Sequence, residues 1–478
     1  MRLVVDDIWA YIHSSTTAHF GVIDSVTSYV QKGKWFSQKY RNGQWDGRKK
    51  FREFDRSAKL YRFPAGLLDR VVEALDAAKM VYEIDDRRCL MTPDPVYTLP
   101  SGFTLRPYQR EAHDALIARG RGVVKVPTAG GKTGILASII QAHNLPTLWM
   151  TDRRVLLYQS KAFLEKNLQC PIGILGDQEE DIKPITVAMV QTLVSRLDSL
   201  KSKLTKFQVL VLDEAHHAQA NTWFESICNV PAPYRYGATA TPTITGDGLR
   251  LLGVCGGILY EISPQELISQ GYMTKPQIWF AKVLVDKKLT GKIPHATIYR
   301  ECIVENQVRN ELATEIAWKL ARECSPTLTL VNQINHGKIL HHLFTKAGVK
   351  TEFIYREVDN AEREDILGKL QDRKLDNVIG ITSILGEGMD ACRIENCINA
   401  CGTTGSGTNM EEGVEPSGRV ILQALGRILR IAEGKTKAEF FDFSDSAHKS
   451  LVKATKLRLE AFENEGYSES IKFYSERK

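Results

Sequence analysis

The sequence predicts an α/β protein with two parallel-sheet lobes in tandem, preceded by a small N-terminal α+β domain. Apolar runs of strand length alternate with longer amphipathic stretches over residues 104 to about 271, and a second alternating series begins near Thr327. The chain has 478 residues, which suits two or three domains that each have a core. The predicted boundaries are 1–95 for the N-terminal domain, 96–273 and 274–455 for the two lobes, and 456–478 for a C-terminal helical tail.

Composition and apolar patterning argue against a membrane protein or a small disulfide-rich domain. Hydrophobic residues make up 43% of the chain and charged residues 25%, and no apolar run reaches the length that spans a bilayer. The first residues include Asp6 and Asp7, where a signal peptide would be basic and then apolar. The nine cysteines include no CxxC pair, which favours reduced core thiols over a zinc site. We therefore expect a cytoplasmic protein with no membrane partner.

The N-terminal region concentrates the positive charge of the protein. The net charge is +6, and residues 32–62 contain eleven Lys or Arg against three Asp or Glu, so this segment holds the whole excess. Such a surface neutralises phosphates and predicts sequence-independent contact with DNA. The interleaved aromatic residues either form the core of a small domain or, for Trp35 and Trp45, stack on unpaired bases. The candidate DNA contacts in this segment are Lys34, Trp35, Lys39, Arg41, Trp45, Arg48, Lys49 and Lys50.

The remaining elements follow in a regular order. A helical pattern over residues 65–80 ends the N-terminal region, and three prolines within residues 91–102 predict a linker. Gly/Ser/Thr-rich residues 402–418 lack a strand–loop–helix context, so they predict a surface loop and not a phosphate cradle. Helices are predicted over residues 361–374 and 451–467. Strand-like runs occupy residues 122–127, 147–152, 185–190 and 208–214 in the first lobe, and 327–333, 351–356, 377–383 and 439–445 in the second.

A Gly-rich turn, VPTAGGKTGILASII at residues 126–140, lies between a predicted strand and a predicted helix. Small residues let backbone N–H groups close around phosphates, and the dipole at a helix N-terminus favours negative charge. Lys132 can reach the β- and γ-phosphates of a nucleotide, and Thr133 can ligand Mg²⁺. Val126 stands where the full pattern has its first glycine, so a plain turn stays an alternative. The backbone candidates are Thr128, Ala129, Gly130 and Gly131.

A second motif, VLVLDEAHHAQ at residues 209–219, places two carboxylates directly after an apolar strand. In phosphoryl transfer such a carboxylate holds Mg²⁺, so we assign Asp213 that role, directly or through a water. Glu214 then polarises the attacking water as the general base. No third ligand lies near the two histidines in sequence, which disfavours a metal site, and we expect His216 to hydrogen-bond to groups that move on hydrolysis. The pattern assigns no role to His217.

With these motifs in place, the chain resembles a superfamily 2 helicase or translocase of the DEAH-containing type. The adenine-recognition element is resembled by residues 105–116. Motifs Ia, Ib and III are resembled, in that order, by residues 151–159, 187–193 and 239–241, and motifs IV, V and VI by residues 330–337, 380–390 and 423–430. All of them appear in the expected order along the chain. The residues carried over by this resemblance are Arg106 and Gln109 for adenine, Arg153, Gln191, Thr192 and Ser383 for DNA, Gly388 and Asp390 for the nucleotide, and Gln423, Arg427 and Arg430 for catalysis.

The resemblance implies a RecA-like fold for both lobes, with ATP and Mg²⁺ as nucleotide and metal, and a motor that acts as a monomer. ATP is expected in the crevice between the lobes. Arg427 and Arg430 are then arginine fingers for the γ-phosphate, whereas taken alone they would be a solvated helix face. Closure with ATP and relaxation after hydrolysis would step the lobes along a strand.

The N-terminal segment resembles one particular group within this class of helicases. Its aromatic residues, its basic stretch and GQWDGR at residues 43–48 are similar to the small N-terminal domain of phage UvsW-type helicases, which act on branched recombination and replication intermediates. The expected function is an ATP-dependent DNA helicase or translocase for branched, forked or duplex DNA, in the host cytoplasm if phage-encoded. The alternatives are an RNA helicase, a restriction-system translocase, and a nucleotide-gated DNA-binding protein that does not hydrolyse ATP.

Overall fold

The chain divides into two compact units in the computed structural model. One comprises Met1–Pro127 with Gly131–Ile262, and the other comprises Thr128–Gly130 with Ser263–Lys478. The structure describes residues 1–31, 33–88, 95–99, 104–240, 246–284, 289–291, 293–382, 393–402 and 418–474. The predicted proline-rich linker and Gly/Ser/Thr-rich loop lie largely outside the described residues, as do Ser383, Gly388 and Asp390.

The N-terminal part of the first unit has its own sheet, as the α+β prediction requires. It contains β1 (Arg2–Val5), β2 (Trp9–His13), α1 (Thr17–Val26), β3 (Ser28–Val30), α2 (Gln38–Arg41), β4 (Arg48–Lys50), β5 (Glu53–Asp55), β6 (Leu60–Pro64), α3 (Leu68–Ala77) and β7 (Glu83–Asp86). Five strands form a sheet in the order β5-β6-β2-β1-β7, and β1 and β7 are its parallel pair. Alternate residues of β1 and β2 are buried against α1 and α3, which follows from the two-residue period of a strand.

This N-terminal sheet shares its core with the rest of the first unit. Leu249 and Leu252, far along the chain, belong to the same buried apolar cluster as Leu3, Val5 and Phe63. We expected a separate N-terminal domain, and its boundary near residue 95 stays a prediction. The shared cluster means that removing residues 1–95 would expose apolar surface of the first lobe, at a cost of about 25 cal/mol per Å².

A short two-stranded arm projects from the N-terminal part, and we define it as residues 28–50. Strands β3 and β4 pair antiparallel, with Ser28 opposite Lys50 and Val30 opposite Arg48. A 3₁₀ turn at Lys34–Phe36 and helix α2 lie between them. Gly47 has φ of +77°, and a Cβ there would come within 2.9 Å of the Tyr40 ring, so only glycine fits the GQWDGR turn.

The first lobe has an eight-stranded sheet in the order β11-β10-β12-β9-β13-β14-β8-β15, parallel except for β11. Its strands are β8 (Arg121–Lys125), β9 (Thr147–Thr151), β10 (Gly173–Gly176), β11 (Glu179–Asp181), β12 (Ile185–Met189), β13 (Val209–Leu212), β14 (Tyr234–Thr239) and β15 (Ile258–Glu261). Its helices are α4 (Pro107–Arg119), α5 (Lys132–His143), α6 (Arg154–Leu168), α7 (Val190–Ser195), α8 (Leu197–Leu204), α9 (Asn221–Ile227) and α10 (Leu249–Cys255). Because the central strands are parallel, their carboxyl ends form one edge, which we call the carboxyl edge.

The second unit has a seven-stranded parallel sheet in the order β18-β19-β17-β20-β21-β16-β22. Its strands are β16 (Gln277–Lys282), β17 (Thr327–Val331), β18 (Thr351–Ile354), β19 (Asn377–Ile381), β20 (Asn396–Asn399), β21 (Glu439–Ser444) and β22 (Ile471–Tyr474). Its helices are α11 (Pro264–Ser269), α12 (His295–Tyr299), α13 (Gln307–Arg322), α14 (Ile334–Lys346), α15 (Asn360–Gln371), α16 (Arg419–Ile428) and α17 (Lys449–Asn464). Each of the eight predicted strand-like runs overlaps one of the observed strands, and seven of them contain it entirely, so the prediction of two parallel-sheet lobes is confirmed.

Arg458 of α17 is fully buried and joins several parts of the second unit. Its guanidinium pairs with Asp442 at 2.8 Å and donates to the carbonyl oxygen of Gly402 at 3.0 Å. A buried charge of this kind is tolerated because it is both paired and hydrogen-bonded. One turn along α17, the Cβ of Ala461 occupies the space that a Cβ on Gly418 would need. Gly402 and Gly418, the first and last residues of the Gly/Ser/Thr-rich segment, therefore both contact one face of α17.

Among the described residues, none of the helices combines the length and the apolar character needed to cross a membrane.

Candidate active site

The predicted phosphate loop joins β8 to α5. Helix α5 begins at Lys132, and Gly131 before it has φ of +76°. The backbone angle favours glycine at this position, and a Cβ there would displace the Nε2 atom of the Gln109 side chain. Ala129 has φ of +72°, a conformation that costs an L-residue about 1–2 kcal/mol. Left-handed residues in such a turn direct backbone N–H groups towards one point, where an anion can bind.

The two carboxylates of the DEAH motif follow β13 and face the start of α5. Thr133 Oγ1 donates to Asp213 Oδ2 at 3.5 Å, and Lys132 Nζ lies 3.7 Å from Glu214 Oε1. Glu214 has φ of 49°, and its N–H donates to Asp213 Oδ1 at 3.0 Å. This left-handed turn directs the consecutive side chains of Asp213 and Glu214 towards the start of α5. The structure therefore brings together four side chains that the sequence assigned to phosphate binding (Lys132), to Mg²⁺ (Thr133 and Asp213) and to the general base (Glu214).

The surroundings shift the pKa values of Asp213 and Glu214 in opposite directions. Burial raises the pKa of Asp213, and the adjacent negative charge of Glu214 adds to that effect. Burial also acts to raise the pKa of Glu214, but the Lys132 ammonium and His216 outweigh it and hold that pKa below its usual value. Glu214 therefore stays ionised at neutral pH, whereas Asp213 gains most from a nearby cation.

The donor set fits a Mg²⁺ ion that is shared with a nucleotide. Thr133 and Asp213 offer a hydroxyl and a carboxylate oxygen, and Mg²⁺ usually takes one or two such protein ligands with waters and phosphate oxygens completing its shell. In the described parts of the chain, no cluster of three or more His, Cys, Asp or Glu side chains is arranged to hold a metal ion. The two oxygen ligands thus suit a substrate-bound Mg²⁺ better than a metal that the protein holds alone.

Gln109, the predicted adenine reader, lies beside the phosphate loop at the start of α4. Its Oε1 atom accepts a hydrogen bond from the Arg106 N–H at 3.0 Å, and its Nε2 donates to the carbonyl oxygen of Gly131 at 3.5 Å. Arg106 directs one guanidinium nitrogen to the Tyr108 hydroxyl at 3.3 Å. The sequence-predicted adenine residues are therefore adjacent to the predicted phosphate-binding residues.

The two histidines of DEAHH point to different partners. His216 Nδ1 lies 3.2 Å from the hydroxyl of Thr239 in motif III and 3.4 Å from Glu214 Oε2. His217 Nε2 lies 3.4 Å from Asp152 Oδ2, and its ring stacks on Trp223 with centroids 5.5 Å apart. Sequence patterns singled out neither Asp152 nor Trp223, because nothing local marks them as neighbours of His217.

The predicted nucleic-acid contacts of the first lobe lie along the same carboxyl edge. Arg153 follows β9, and Gln191 and Thr192 follow β12. Gln191 Nε2 donates to the carbonyl oxygen of Asp152 at 2.8 Å, which ties the two loops together. Since β12, β9, β13, β14 and β8 are consecutive in the sheet, motifs Ib, Ia, II, III and I succeed one another along one edge.

In the second unit, the motif VI residues lie on or just after α16. Arg427 is buried, with 7% of its surface exposed, so it is not part of a solvated helix face. Gln423 and Arg430 are half-buried.

The arm residues divide into two groups. Lys50 pairs with Asp24 at 3.0 Å, Lys49 donates to Asn221 Oδ1 at 3.3 Å, and Arg48 donates to Ser28. These three predicted DNA contacts thus make protein contacts at the base of the arm. The tip is different: Trp35 and Phe36 are 65% and 85% exposed, and Lys39 and Arg41 are also exposed. At the tip Lys34 lies over the rings of Trp35 and Tyr40, whereas the half-buried Trp45 donates from Nε1 to the carbonyl oxygen of Arg48.

Two family models match this chain. The model described as "Type III restriction enzyme, res subunit" matches residues 102–244, and the model described as "Helicase conserved C-terminal domain" matches residues 308–432. Together they cover the phosphate loop, the DEAH motif and motif VI. The chain belongs to the superfamily 2 helicases and is an ATP-dependent helicase of that class.

Individual proteins give the same assignment. The chain is 27% identical over 389 residues to the DNA 3'-5' translocase XPB2 of Sulfurisphaera tokodaii, covering 73% of this chain and 83% of that protein. It is 21% identical over 452 residues to the ATP-dependent DNA helicase uvsW of Enterobacteria phage T4, covering 88% of this chain and 86% of that protein. The solved structure of the ATP-dependent Type ISP restriction-modification enzyme LlaBIII bound to DNA shares the fold, with 14% identity and a TM-score of 0.58, over 84% of this chain and 34% of that one.

Proposed function

We propose that this helicase uses ATP hydrolysis to move along DNA and to remodel branched or forked DNA, including branch migration of recombination intermediates. The observation that carries the proposal is the carboxyl edge of the first lobe. There Lys132, Thr133, Asp213 and Glu214 converge, and the loops that carry Arg153 and Gln191 follow two neighbouring strands. Hydrolysis and strand contact are thereby built on one rigid sheet, so movement at one can reach the other.

The proposed chemistry assigns one task to each side chain. Lys132 and the N–H groups of residues 128–131 bind the phosphates, and Gln109 with Arg106 recognises adenine. Thr133 and Asp213 would hold Mg²⁺, which would supply positive charge to offset the negative charge of the nucleotide phosphates. The Glu214 carboxylate accepts a proton from the attacking water, and its low pKa keeps it ionised for that task.

Arg427 and Arg430 are proposed to stabilise the charge that spreads over the γ-phosphate during transfer. Arg427→Ala and Arg430→Ala should each lower kcat by about a hundredfold, because a planar guanidinium is a strong donor to the transition state and two of them share the charge. ATP affinity in the absence of DNA should change much less. Steady-state ATPase kinetics together with nucleotide titration measure both quantities. Equal losses in affinity and turnover would contradict the assignment.

The tip of the arm is proposed to contact DNA next to a branch. Its exposed cations suit phosphates, and Trp35 and Phe36 are exposed rings of the kind that stack on unpaired bases. Because Phe51, the residue that follows the arm, packs on Phe224 of the first lobe, a force on the tip would be transmitted to the motor. A second duplex contact would let the enzyme hold one DNA arm while it pulls another.

The double variant Lys39→Glu/Arg41→Glu should weaken duplex binding by at least about tenfold, because two phosphate contacts are lost. The slope of log affinity against log salt should also fall by about 1.8. Fluorescence anisotropy over a salt series measures both changes. Lys49 and Lys50 are poorer targets, since Lys50 neutralises Asp24 and Lys49 contacts the first lobe.

Arg70→Glu is the matched control, because Arg70 is an exposed cation of the same N-terminal part, on α3. It should bind duplex as the wild type does. A Trp35→Ala variant tests stacking separately and should reduce the preference for forked over plain duplex. If the tip double variant and the Arg70 variant bind alike, the arm has another task, such as a protein contact.

The function as a whole is tested by comparing forked DNA, four-way junctions, plain duplex and RNA as stimulators of ATP hydrolysis. The proposal expects the strongest stimulation from forks and junctions. Equal stimulation by plain duplex would favour a restriction-type translocase, and stimulation by RNA alone would favour an RNA helicase.

A further inference from the structure

The loop after β9 and the loop after β13 meet on the carboxyl edge because these strands are neighbours in the sheet. The first loop carries Asp152 and Arg153, and the second carries the DEAHH sequence. Their side chains meet at one point, where His217 Nε2 lies 3.4 Å from Asp152 Oδ2. This is a direct side-chain contact between the predicted strand-binding loops and the hydrolytic motif.

The contact belongs to a series of neighbouring residues that begins at Glu214. Glu214 Oε2 lies 3.4 Å from His216 Nδ1, and the rings of His216 and His217 have centroids 4.2 Å apart. Beyond His217, Asp152 is held by its neighbours: its carbonyl oxygen accepts from Gln191 Nε2 at 2.8 Å, and its carboxylate lies 3.7 Å from Arg153 Nε. The series thus leads from the proposed general base to two of the proposed strand contacts.

One link in this series is incomplete. Although Asp152 is close, His217 Nε2 is a buried atom without an aligned hydrogen bond to any residue that the structure describes. Burial lowers the pKa of His217 to about 4, so the ring is neutral and a hydrogen bond to the carboxylate is the interaction available to it. The stacked ring of Trp223 fixes the plane of the imidazole, so a small shift of Asp152 is enough to align the bond. An unsatisfied buried polar atom destabilises the protein, so a shift that completes its hydrogen bond is favoured.

We propose that His217 and Asp152 are positioning residues that couple nucleic-acid binding to hydrolysis. A strand bound at Arg153 and Gln191 moves the Asp152 loop, the His217–Asp152 hydrogen bond closes, and the paired imidazoles then hold the Glu214 carboxylate in its productive orientation. His217 touches neither the nucleotide nor the attacking water in this scheme; it acts through His216. The inference rests on the proposed function, because it needs nucleic acid at the ends of β9 and β12.

The test is the ratio of ATPase kcat with a saturating single-stranded DNA oligonucleotide to kcat without DNA. His217→Leu removes the polar ring atom and keeps an apolar contact for Trp223. It should lower that ratio on the order of tenfold, the size of effect that residues along a coupling route produce. DNA affinity and the KM for ATP should change less than twofold, which a merely destabilised protein would not show. His217→Gln, which keeps a polar atom directed at Asp152, should recover part of the ratio.

His143→Gln is the matched control. His143, like His217, is a half-buried histidine of the first lobe; it contacts Tyr236 OH at 2.6 Å and stacks on an aromatic ring, but it lies at the far end of α5. It should keep the wild-type ratio. The pair Asp152→Asn and His217→Leu completes a double-mutant cycle, in which the double variant should lose no more than either single one.

Two failures are distinguishable. Wild-type ATPase that no nucleic acid stimulates would overturn the proposed function itself. Wild-type ATPase that DNA stimulates, with the same ratio in His217→Leu, would overturn the coupling role and leave the proposed function standing. Additive losses in the double variant would show that Asp152 and His217 act independently, which also overturns it.

Discussion

Glu214→Gln should lower the kcat for ATP hydrolysis by about 10³- to 10⁴-fold while ATP and DNA still bind. Glutamine keeps the size and hydrogen bonding of the side chain but cannot accept a proton from water, and a positioned general base contributes up to about 10⁴-fold. The neutral side chain also removes a negative charge beside Lys132, so nucleotide affinity should stay the same or rise. Single-turnover hydrolysis and equilibrium nucleotide titration separate these quantities.

The control for this experiment is Glu225→Gln. Glu225 is an exposed carboxylate on α9, the helix that follows the DEAH motif. Its replacement by glutamine is the same chemical change, made away from the nucleotide site. Its kcat should stay near the wild-type value. If nucleotide affinity in Glu214→Gln falls as far as turnover does, Glu214 is a binding residue and not the base.

Lys132→Ala should abolish hydrolysis, with kcat/KM lower by at least about 10³-fold, because the ammonium that meets the phosphates is lost. The fold should persist, since Lys132 contributes a charge and not an apolar core contact. Without the ammonium, the pKa of Glu214 should rise towards its usual value, because Lys132 is the main group that holds it low. Circular dichroism with ATPase kinetics distinguishes loss of activity from loss of structure.

Lys125→Ala is the matched lysine variant. Lys125 ends β8, only a few residues before the loop, and its ammonium pairs with Glu261 at the surface. An exposed pair of this kind is worth about 0–1 kcal/mol, so the variant should remain active. Full ATPase activity in Lys132→Ala would show that the loop at residues 126–140 does not bind phosphate.

A strand is most easily recognised in the sequence when its side chains are all apolar, as in β13 with its four Val and Leu residues. Two strands that the sequence analysis missed, β14 and β20, have buried polar residues within them. In β14, Arg235 is fully buried and donates to the carbonyl oxygen of Ala232; in β20, Asn396 donates to Ser325 Oγ at 2.9 Å. A satisfied polar group costs little in a core, but it breaks the apolar pattern by which a strand is recognised.

In the candidate site, too, some features could be predicted from the sequence and others could not. Lys132, Thr133, Asp213 and Glu214 could be predicted because phosphate and metal chemistry requires those residue types at the ends of strands. The His217–Asp152 contact could not, because it depends on β9 lying next to β13, and the order of strands in a sheet is set by packing across the whole lobe. The protein contacts at the base of the arm were missed for the same reason: charge counting does not show that Lys50 already has Asp24 as a partner.

The attachment of Gly402 and Gly418 to one face of α17 has a consequence for how this chain can vary in length. The free-energy cost of closing a chain segment depends on how far apart its ends are held and only weakly on its length, so doubling the segment adds about 0.6 kcal/mol. Because Arg458 and Ala461 fix both ends on one helix, residues could be added or removed between them without a change in the placement of α16. We therefore expect that a foreign sequence inserted there would leave the strand order and motif VI where they are.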